Sequence, residues 1–468
     1  MKRIVVIGGG ISGLAAAHRL AELSRGRPGS PEIILLEAAN RFGGVIETHF
    51  QDGFLMEGGP DAFLTEKPTA LDLCRRLGLG DQLLQTRPEN RKSFVIRSGR
   101  PVPIPEGFFL TIPRGWKPLF RNRALSFRGK IRCAGEIFVA PRRGQQDESV
   151  ADFIRRRFGR EVFEKIGQPM IGGIYAANAE QLSLQATLPK FREMEEKFGS
   201  LIRAVASGPA NGSGTSGPRY QLFVSLRGGM QTLVEGIIRD MPEVSLRCGC
   251  EAVSLQKGKK WGVQMRGGGF LEADGLCLAV PAYAAAQLLT AVSADLSGEL
   301  SGIPYGSIAS VHAVFRQEDL PDALRGFGLV VPESEKSVMI GCTFSSVKFE
   351  GRAPDGMVLV RIFTKEVGKP EEDLQKDLLL ELARFLGIHS RPRFLWVRRH
   401  FKAMPAYPVG HPDRLSRIER MTASFPGLYL TGNGYRGSGL PEIIDQAEKT
   451  AERIFSQLLQ SEGPGEAR

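Results

Sequence analysis

The sequence predicts an α/β fold: a discontinuous Rossmann-type dinucleotide-binding domain, an α+β substrate domain and a helical insertion. Three observations predict it. The β-branched run Ile4–Ile7 enters Gly8-x-Gly10-x-x-Gly13 and then an alanine-rich stretch, the strand–turn–helix order that a nucleotide cradle needs. A second apolar run, Glu32–Leu36, ends on an acid, Glu37. The 468 residues also exceed what one hydrophobic core serves, so two or three domains are expected.

The elements follow in chain order. Ile4–Ile7 reads as a buried strand and Leu14–Leu20 as a helix with one small-residue side. Between them, Gly8, Gly9, Gly10, Ile11, Ser12 and Gly13 form a tight turn with bare backbone. A pyrophosphate there meets the free N–H groups and positive end of the helix. The polar loop Ser24–Pro31 carries the chain to the second strand. Glu37 stands where a ribose hydroxyl is held, and an acid there argues against a 2′-phosphate. Next come Arg41, Gly43 and Gly44, a cation for phosphate and two residues that let backbone approach it.

Composition narrows the class. Hydrophobic residues make up 42% and charged residues 24%, as in an ordinary globular protein. No window reaches the ~18–20 continuous apolar residues of a membrane span, and the first strand leaves no room for a signal peptide, so a cytoplasmic location is expected. The six cysteines are scattered without a CxxC pair, consistent with reduced thiols. The six histidines are scattered too, and no metal site is expected. The net charge of +11 forms no nucleic-acid module, which leaves an anionic membrane surface or an acidic small substrate.

Further segments extend the cofactor pattern. Ser225–Leu233 leads into a helix, and Val244–Leu246 and Ala252-Val253 read as strands. Leu276–Pro281 reads as a buried strand, and Gly427–Gly434 as a strand ending in glycine. Ser438-Gly439-Leu440-Pro441-Glu442 then opens a last helix. With Glu37 and Arg41-x-Gly43-Gly44 in register, the set resembles the FAD-dependent amine oxidases and related desaturases. That resemblance implies FAD held by both chain ends, with backbone contacts at Val253 on the adenine side and at Gly432, Asn433, Ser438, Gly439 and Leu440. A helix N-terminus there can stabilise negative charge on the reduced ring. No cysteine lies in Gly432–Pro441, so the FAD is expected to be non-covalent.

Within that superfamily, four segments resemble the bacterial porphyrinogen oxidases of haem synthesis. They are Glu57-Gly58-Gly59-Pro60-Asp61-Ala62-Phe63, Gly172–Ala176 with Gln181–Ser183, Gly326–Pro332, and Gly432–Pro441. The resemblance spans nearly the whole chain and is nearest to the soluble bacterial branch of protoporphyrinogen and coproporphyrinogen III oxidases. It implies a six-electron oxidation of a porphyrinogen, with hydride passing to flavin N5, dioxygen as acceptor and hydrogen peroxide as product. It further implies that Gly58, Gly59, Pro60 and Asp61 run beneath the flavin and that Gly173 offers a carbonyl to the macrocycle. Phe327 and Val330 sandwich a ring, and Ile362 lines the same slot. Arg91, Lys92 and Arg97 face the propionates, Ser93 standing where some relatives carry arginine; a solvated face is the alternative for this stretch. No acid–base residue is expected, because the cofactor carries the chemistry.

The expected FAD domain comprises 1–88, 222–303 and 395–460. The insertion is expected at 89–221, the substrate domain at 304–394 and a disordered tail at 461–468. The insertion mixes Phe108, Phe109, Leu110, Ile112, Trp116, Leu119 and Phe120 with Arg114, Lys117 and Arg121. Either it contacts a membrane peripherally or its aromatics cover a substrate channel. The expected partners are the porphyrinogen, dioxygen and, transiently, the next haem-pathway enzyme. Protoporphyrinogen IX, with two carboxylates, and coproporphyrinogen III, with four, both stay open. The alternatives are another flavin amine oxidase or carotenoid-type desaturase, or a non-catalytic flavin-binding redox module.

Overall fold

The computed structural model describes residues 1–460 apart from 105–107, 110, 123, 143, 145, 169–170, 172–177, 208–222 and 322–325. The expected tail and Gly173 therefore lie outside the described residues.

Five parallel strands form the first sheet, in the order Ser245–Arg247, Glu32–Leu36, Arg3–Ile7, Gly275–Leu278, Leu428–Leu430. Their near-continuous apolar composition suits a sheet covered on both faces. Ile4, Val6, Ile33 and Leu35 pack against the helices Ile11–Ser24 and Leu440–Gln460. Ala16, Ala17 and Ala21 are fully buried in that core, where small side chains let elements approach closely. Val5, Ile7, Ile34 and Leu36 fill the opposite core with Leu276, Leu278 and the helix Ala282–Leu289.

The second sheet has seven strands, in the order Leu395–Pro405, Tyr305–Arg316, Met357–Thr364, Met339–Phe344, Gly328–Val330, Ser93–Arg97, Arg100–Pro103. All neighbours are antiparallel except Gly328–Val330 with Ser93–Arg97. Two segments differ from the sequence expectation. Residues 93–103, expected in the insertion, and 395–405, expected in the FAD domain, are both hydrogen-bonded into this sheet. Their pairing is with strands far away in sequence, so local patterning could not assign them.

Alternation sets the two faces of this sheet. Val311, Ala313, Phe315, Val358, Val360 and Ile362 pack on the helix Glu371–Leu386 through Leu374, Leu378 and Leu382. Val314 and Leu359 point the other way, onto Phe54 and Met56 of the first domain. The insertion has its own core, including Phe153, Phe158 and Phe191. There the buried Arg157 pairs with Glu136 and Glu195.

Candidate cofactor and substrate site

The glycine motif lies where the Arg3–Ile7 strand turns into the Ile11–Ser24 helix. At Gly13 a Cβ would stand 1.8 Å from the Gly8 carbonyl oxygen, so close helix–strand packing requires glycine. Gly10 is the opposite case. It caps the helix at φ −70°, no side chain satisfies the exposed N-terminus, and a Cβ there meets nothing within 4 Å. Ser12 Oγ is buried without a partner, and so is Thr431 Oγ1. A Cβ on Gly432 would lie 3.8 Å from Ser12 Oγ, which brings the two chain ends to one place. An open glycine, free helix N–H groups and an orphaned hydroxyl are what a bound pyrophosphate needs.

The neighbouring residues close the cradle. Glu37 follows its strand and accepts from Gly9 N at 2.6 Å and Ala39 N at 2.8 Å, which holds the acid beside the glycine turn. Gly43 bridges to Gly10 and donates its N–H to Gly9 O at 2.8 Å. Arg41, expected beside the phosphate, lies on the same turn. Its guanidinium donates to the carbonyls of Phe42, Gly44 and Ile46, so it holds the turn that carries Gly43 and Gly44. Val253 sits at a bulge between the pairs Ala252–Met265 and Ser254–Gln264, leaving its backbone outside the ladder. Asn433 is tied through its carbonyl to Tyr407 Oη and through Nδ2 to Ala403 O. Ser438 and Gly439 are exposed just before the last helix, and Leu440 is buried.

The segment from Glu57 to Asp61 joins the two sheets. A Cβ on Gly59 would stand 2.0 Å from Val45 O, so two backbones cross at van der Waals distance. Gly58 O accepts from His400 Nε2 at 2.7 Å and from Arg361 Nη2 at 3.3 Å, and Glu57 O from His312 Nε2 at 3.1 Å. Burial keeps both imidazoles below the usual histidine value, so each donates as a neutral ring. Burial also raises the Asp61 carboxyl, but Lys348, Arg361 and Arg352 outweigh it and hold Asp61 below its ordinary value. Its carboxylate meets Lys348 Nζ at 2.8 Å, so that side chain serves the domain seam. Glu57 is buried, with Oε1 accepting from Met230 N and Oε2 from Thr48 Oγ1. Burial pushes it up to about 7 against those two bonds and the attraction of Arg352 and Arg361.

The substrate side is the sheet face that meets this segment. Register places Val95, Val330, Gly341, Phe363, Ser310 and Arg398 in one row. The adjacent row holds Ser93, Gly328, Thr343, Arg361, His312 and Trp396. Val330 is therefore on the expected face, half-buried, and Phe327 is 3% exposed with its N–H on Lys92 O. Ile362 is not on it. That side chain is fully buried against the 371–386 helix, and the strand's alternation puts Arg361 and Phe363 at the seam instead. Arg97 shares the face of Val95 and donates to Lys165 O at 2.6 Å, while burial lowers its pKa. Arg91 has a buried Nε without a partner, and Lys92 is exposed. Sequence reasoning missed Arg361, His312, His400 and Lys348. One signal was present: Arg361 is a lone charge inside the apolar run Met357–Phe363.

Comparison with known proteins gives a consistent set. A model of the flavin-containing amine oxidoreductases matches residues 11–455. The coproporphyrinogen III oxidase of Bacillus subtilis is 31% identical, the alignment covering 98% of this chain and 99% of that protein. The chloroplastic protoporphyrinogen oxidase of Oryza sativa is 30% identical over 97% of this chain and 88% of its own length. Among solved structures, a protein from Exiguobacterium provisionally assigned as a protoporphyrinogen oxidase has a TM-score of 0.86 at 30% identity, covering 97% of this chain and 99% of the other. Reduced UDP-galactopyranose mutase, at 18% identity, TM-score 0.74 and coverage of 98% and 96%, shares the fold.

Proposed function

We propose that this chain, which belongs to the family of flavin-containing amine oxidoreductases, oxidises a porphyrinogen to the porphyrin in haem synthesis. The observation that carries the reading is the sheet face at the domain seam, where Val95, Val330 and Phe363 share a row and Arg361 lies beside it. A flat ring system with acidic side arms needs apolar surface for the ring and cations for the arms. Full-length similarity to coproporphyrinogen III and protoporphyrinogen oxidases supports the same reading.

FAD, held by Gly8–Gly13, Glu37, Gly43, Gly44, Val253 and Gly432, supplies a hydride acceptor when bound. The chain's own residues bind and orient. Val330 and Phe363 offer apolar surface, with Phe327 buried beside Gly328, and Arg97 and Arg361 offer positive charge. The Glu57 and Gly58 carbonyls tie the two domains together through His312, His400 and Arg361. Dioxygen is the proposed acceptor.

The insertion supports a peripheral contact with an anionic membrane. Trp116, Phe120, Phe127, Ile131 and Phe138 are exposed there among Arg114, Lys117, Arg121 and Arg128. Among the described residues no helix is long and apolar enough to cross a membrane.

The test is direct. Purified holoprotein is mixed anaerobically with each porphyrinogen, and flavin absorbance and porphyrin fluorescence are followed before and after air is admitted. Bleaching followed by recolouring, with porphyrin formed, is expected. Bound flavin that neither porphyrinogen bleaches would remove the reading.

A further inference from the structure

Four arginines are buried among the described residues: Arg157, Arg192, Arg352 and Arg361. Three have their charge or their donors met. Arg157 pairs with Glu136 and Glu195, and also donates to Val139 O and Gly199 O. Arg192 meets Glu195, Glu196 and Gly144 O. Arg352 donates to Arg227 O, Leu226 O and Ser225 Oγ.

Arg361 differs. Only 6% of it is exposed and its one hydrogen bond is to Gly58 O at 3.3 Å; its Nε, like that of Arg157, is buried without a partner. No carboxylate among the described residues lies within ion-pair distance of it; Asp61 and Glu57 act from further away. A buried cation left this open is costly unless an anion completes it.

The position indicates which anion. Arg361 lies over the Phe363 ring, 4.7 Å from its centroid, and Phe363 belongs to the row that carries Val330 and Val95. The cation is thus set at the margin of an apolar surface. Arg97 shares that face three strands away. We infer that Arg361 is a substrate-carboxylate anchor, distinct from the cations of the 91–97 stretch, and that it favours a tetracarboxylate porphyrinogen over a dicarboxylate one. The inference rests on the porphyrinogen reading and specifies which substrate that site prefers. Arg361 and Arg97, set apart on one face, can engage acidic arms on different sides of a macrocycle. A substrate with four arms satisfies both in more orientations than one with two.

The test uses holoprotein carrying Arg361→Gln or Arg361→Lys. Coproporphyrin III, its tetramethyl ester and protoporphyrin IX are titrated separately in one detergent buffer, with binding read from porphyrin fluorescence. FAD stoichiometry and flavin reduction potential are measured alongside. For Arg361→Gln, coproporphyrin III is expected to bind ~10- to 100-fold more weakly, the size of a lost charge-assisted contact. Protoporphyrin IX should lose less, the ester should be unaffected, and Arg361→Lys should recover part of the loss. FAD content and potential should match the wild type. Equal losses for acid and ester would make Arg361 structural and overturn the inference. A shifted flavin potential with unchanged coproporphyrin binding would assign the cation to the flavin, also overturning it. Wild-type holoprotein that binds no porphyrin would remove the underlying reading and this one with it. Wild-type binding with an indifferent Arg361→Gln would remove only the anchor.

Discussion

Gly10 and Gly13 lie three residues apart in one motif, yet the structure predicts opposite consequences for enlarging them. At Gly10 a new Cβ meets no heavy atom within 4 Å, and the backbone already has φ −70°, which valine adopts freely. Gly10→Val should therefore cost the apoprotein less than ~1 kcal/mol, chiefly the poorer helix cap. Its isopropyl group instead occupies the space over the helix N-terminus where a pyrophosphate is held. Losing two charge-assisted hydrogen bonds at ~1.5–3 kcal/mol each corresponds to about 10²- to 10⁴-fold weaker FAD binding. Gly13→Ala reverses the pattern, because its methyl would stand 1.8 Å from Gly8 O and force strand and helix apart. That overpacking costs ~1–3 kcal/mol or more of fold stability before any cofactor binds. The assay is a matched pair: apoprotein denaturation midpoints, and FAD dissociation constants from flavin fluorescence. A Gly10→Val protein that retains stoichiometric FAD, or one as destabilised as Gly13→Ala, would refute the assignment of Gly10 to the phosphate cradle.

Three other outcomes are expected. Glu57 is raised from 4.5 to about 7 by burial, so the folded state binds its proton more tightly than the unfolded chain does. Its contribution is full below about pH 4.5 and declines by about 3 kcal/mol as pH rises through 7; Glu57→Gln should remove that slope, read as the melting-temperature difference between pH 5 and pH 8. Phe327→Leu keeps most of a buried volume while reshaping the proposed slot, and should raise KM for the porphyrinogen several-fold at unchanged FAD content. Unchanged kinetics would return Phe327 to core packing. Phe127→Glu, at a side chain 70% exposed, should weaken flotation with phosphatidylglycerol vesicles by ~10-fold or more and leave turnover in detergent intact.

What was legible in the sequence was local. Gly8 to Gly13, Glu37 and the strand from Leu276 declare themselves because turn chemistry and apolar runs act over a few residues. The face of a strand is a different kind of fact. Ile362 and Arg361 differ by one position, and which of them meets the seam depends on pairing with 305–316 and 339–344. A slip of one residue exchanges the two faces, and the register here turns Arg361 and Phe363 to the seam and Ile362 to the 371–386 helix. The substrate sheet likewise recruits 93–103 and 395–405 by pairing with strands far outside any local window, so no window could draw its borders. The short continuous apolar run Phe94–Ile96 suits a buried strand but does not identify its partner.

The Glu57–Asp61 segment ties the proposed cofactor cradle to the proposed substrate face. Its carbonyls take hydrogen bonds from His312, Arg361 and His400 on three strands of the second sheet. Its carboxylates take Met230 N, Thr48 Oγ1 and Lys348 Nζ. Separating the sheets breaks the bonds to His312, Arg361, His400 and Lys348, each leaving a polar group unpaired at ~1–3 kcal/mol. Opening the seam is therefore far more costly than moving a side chain along its edge. On the proposed reading the substrate reaches the slot from its margin, where Arg97 meets the insertion through Lys165 O, rather than by parting the two domains. The aromatic and basic surface proposed to meet the membrane belongs to that same insertion. An amphiphilic substrate taken from a membrane surface would then enter at the side where the ring's apolar row ends and its acidic arms find guanidinium groups.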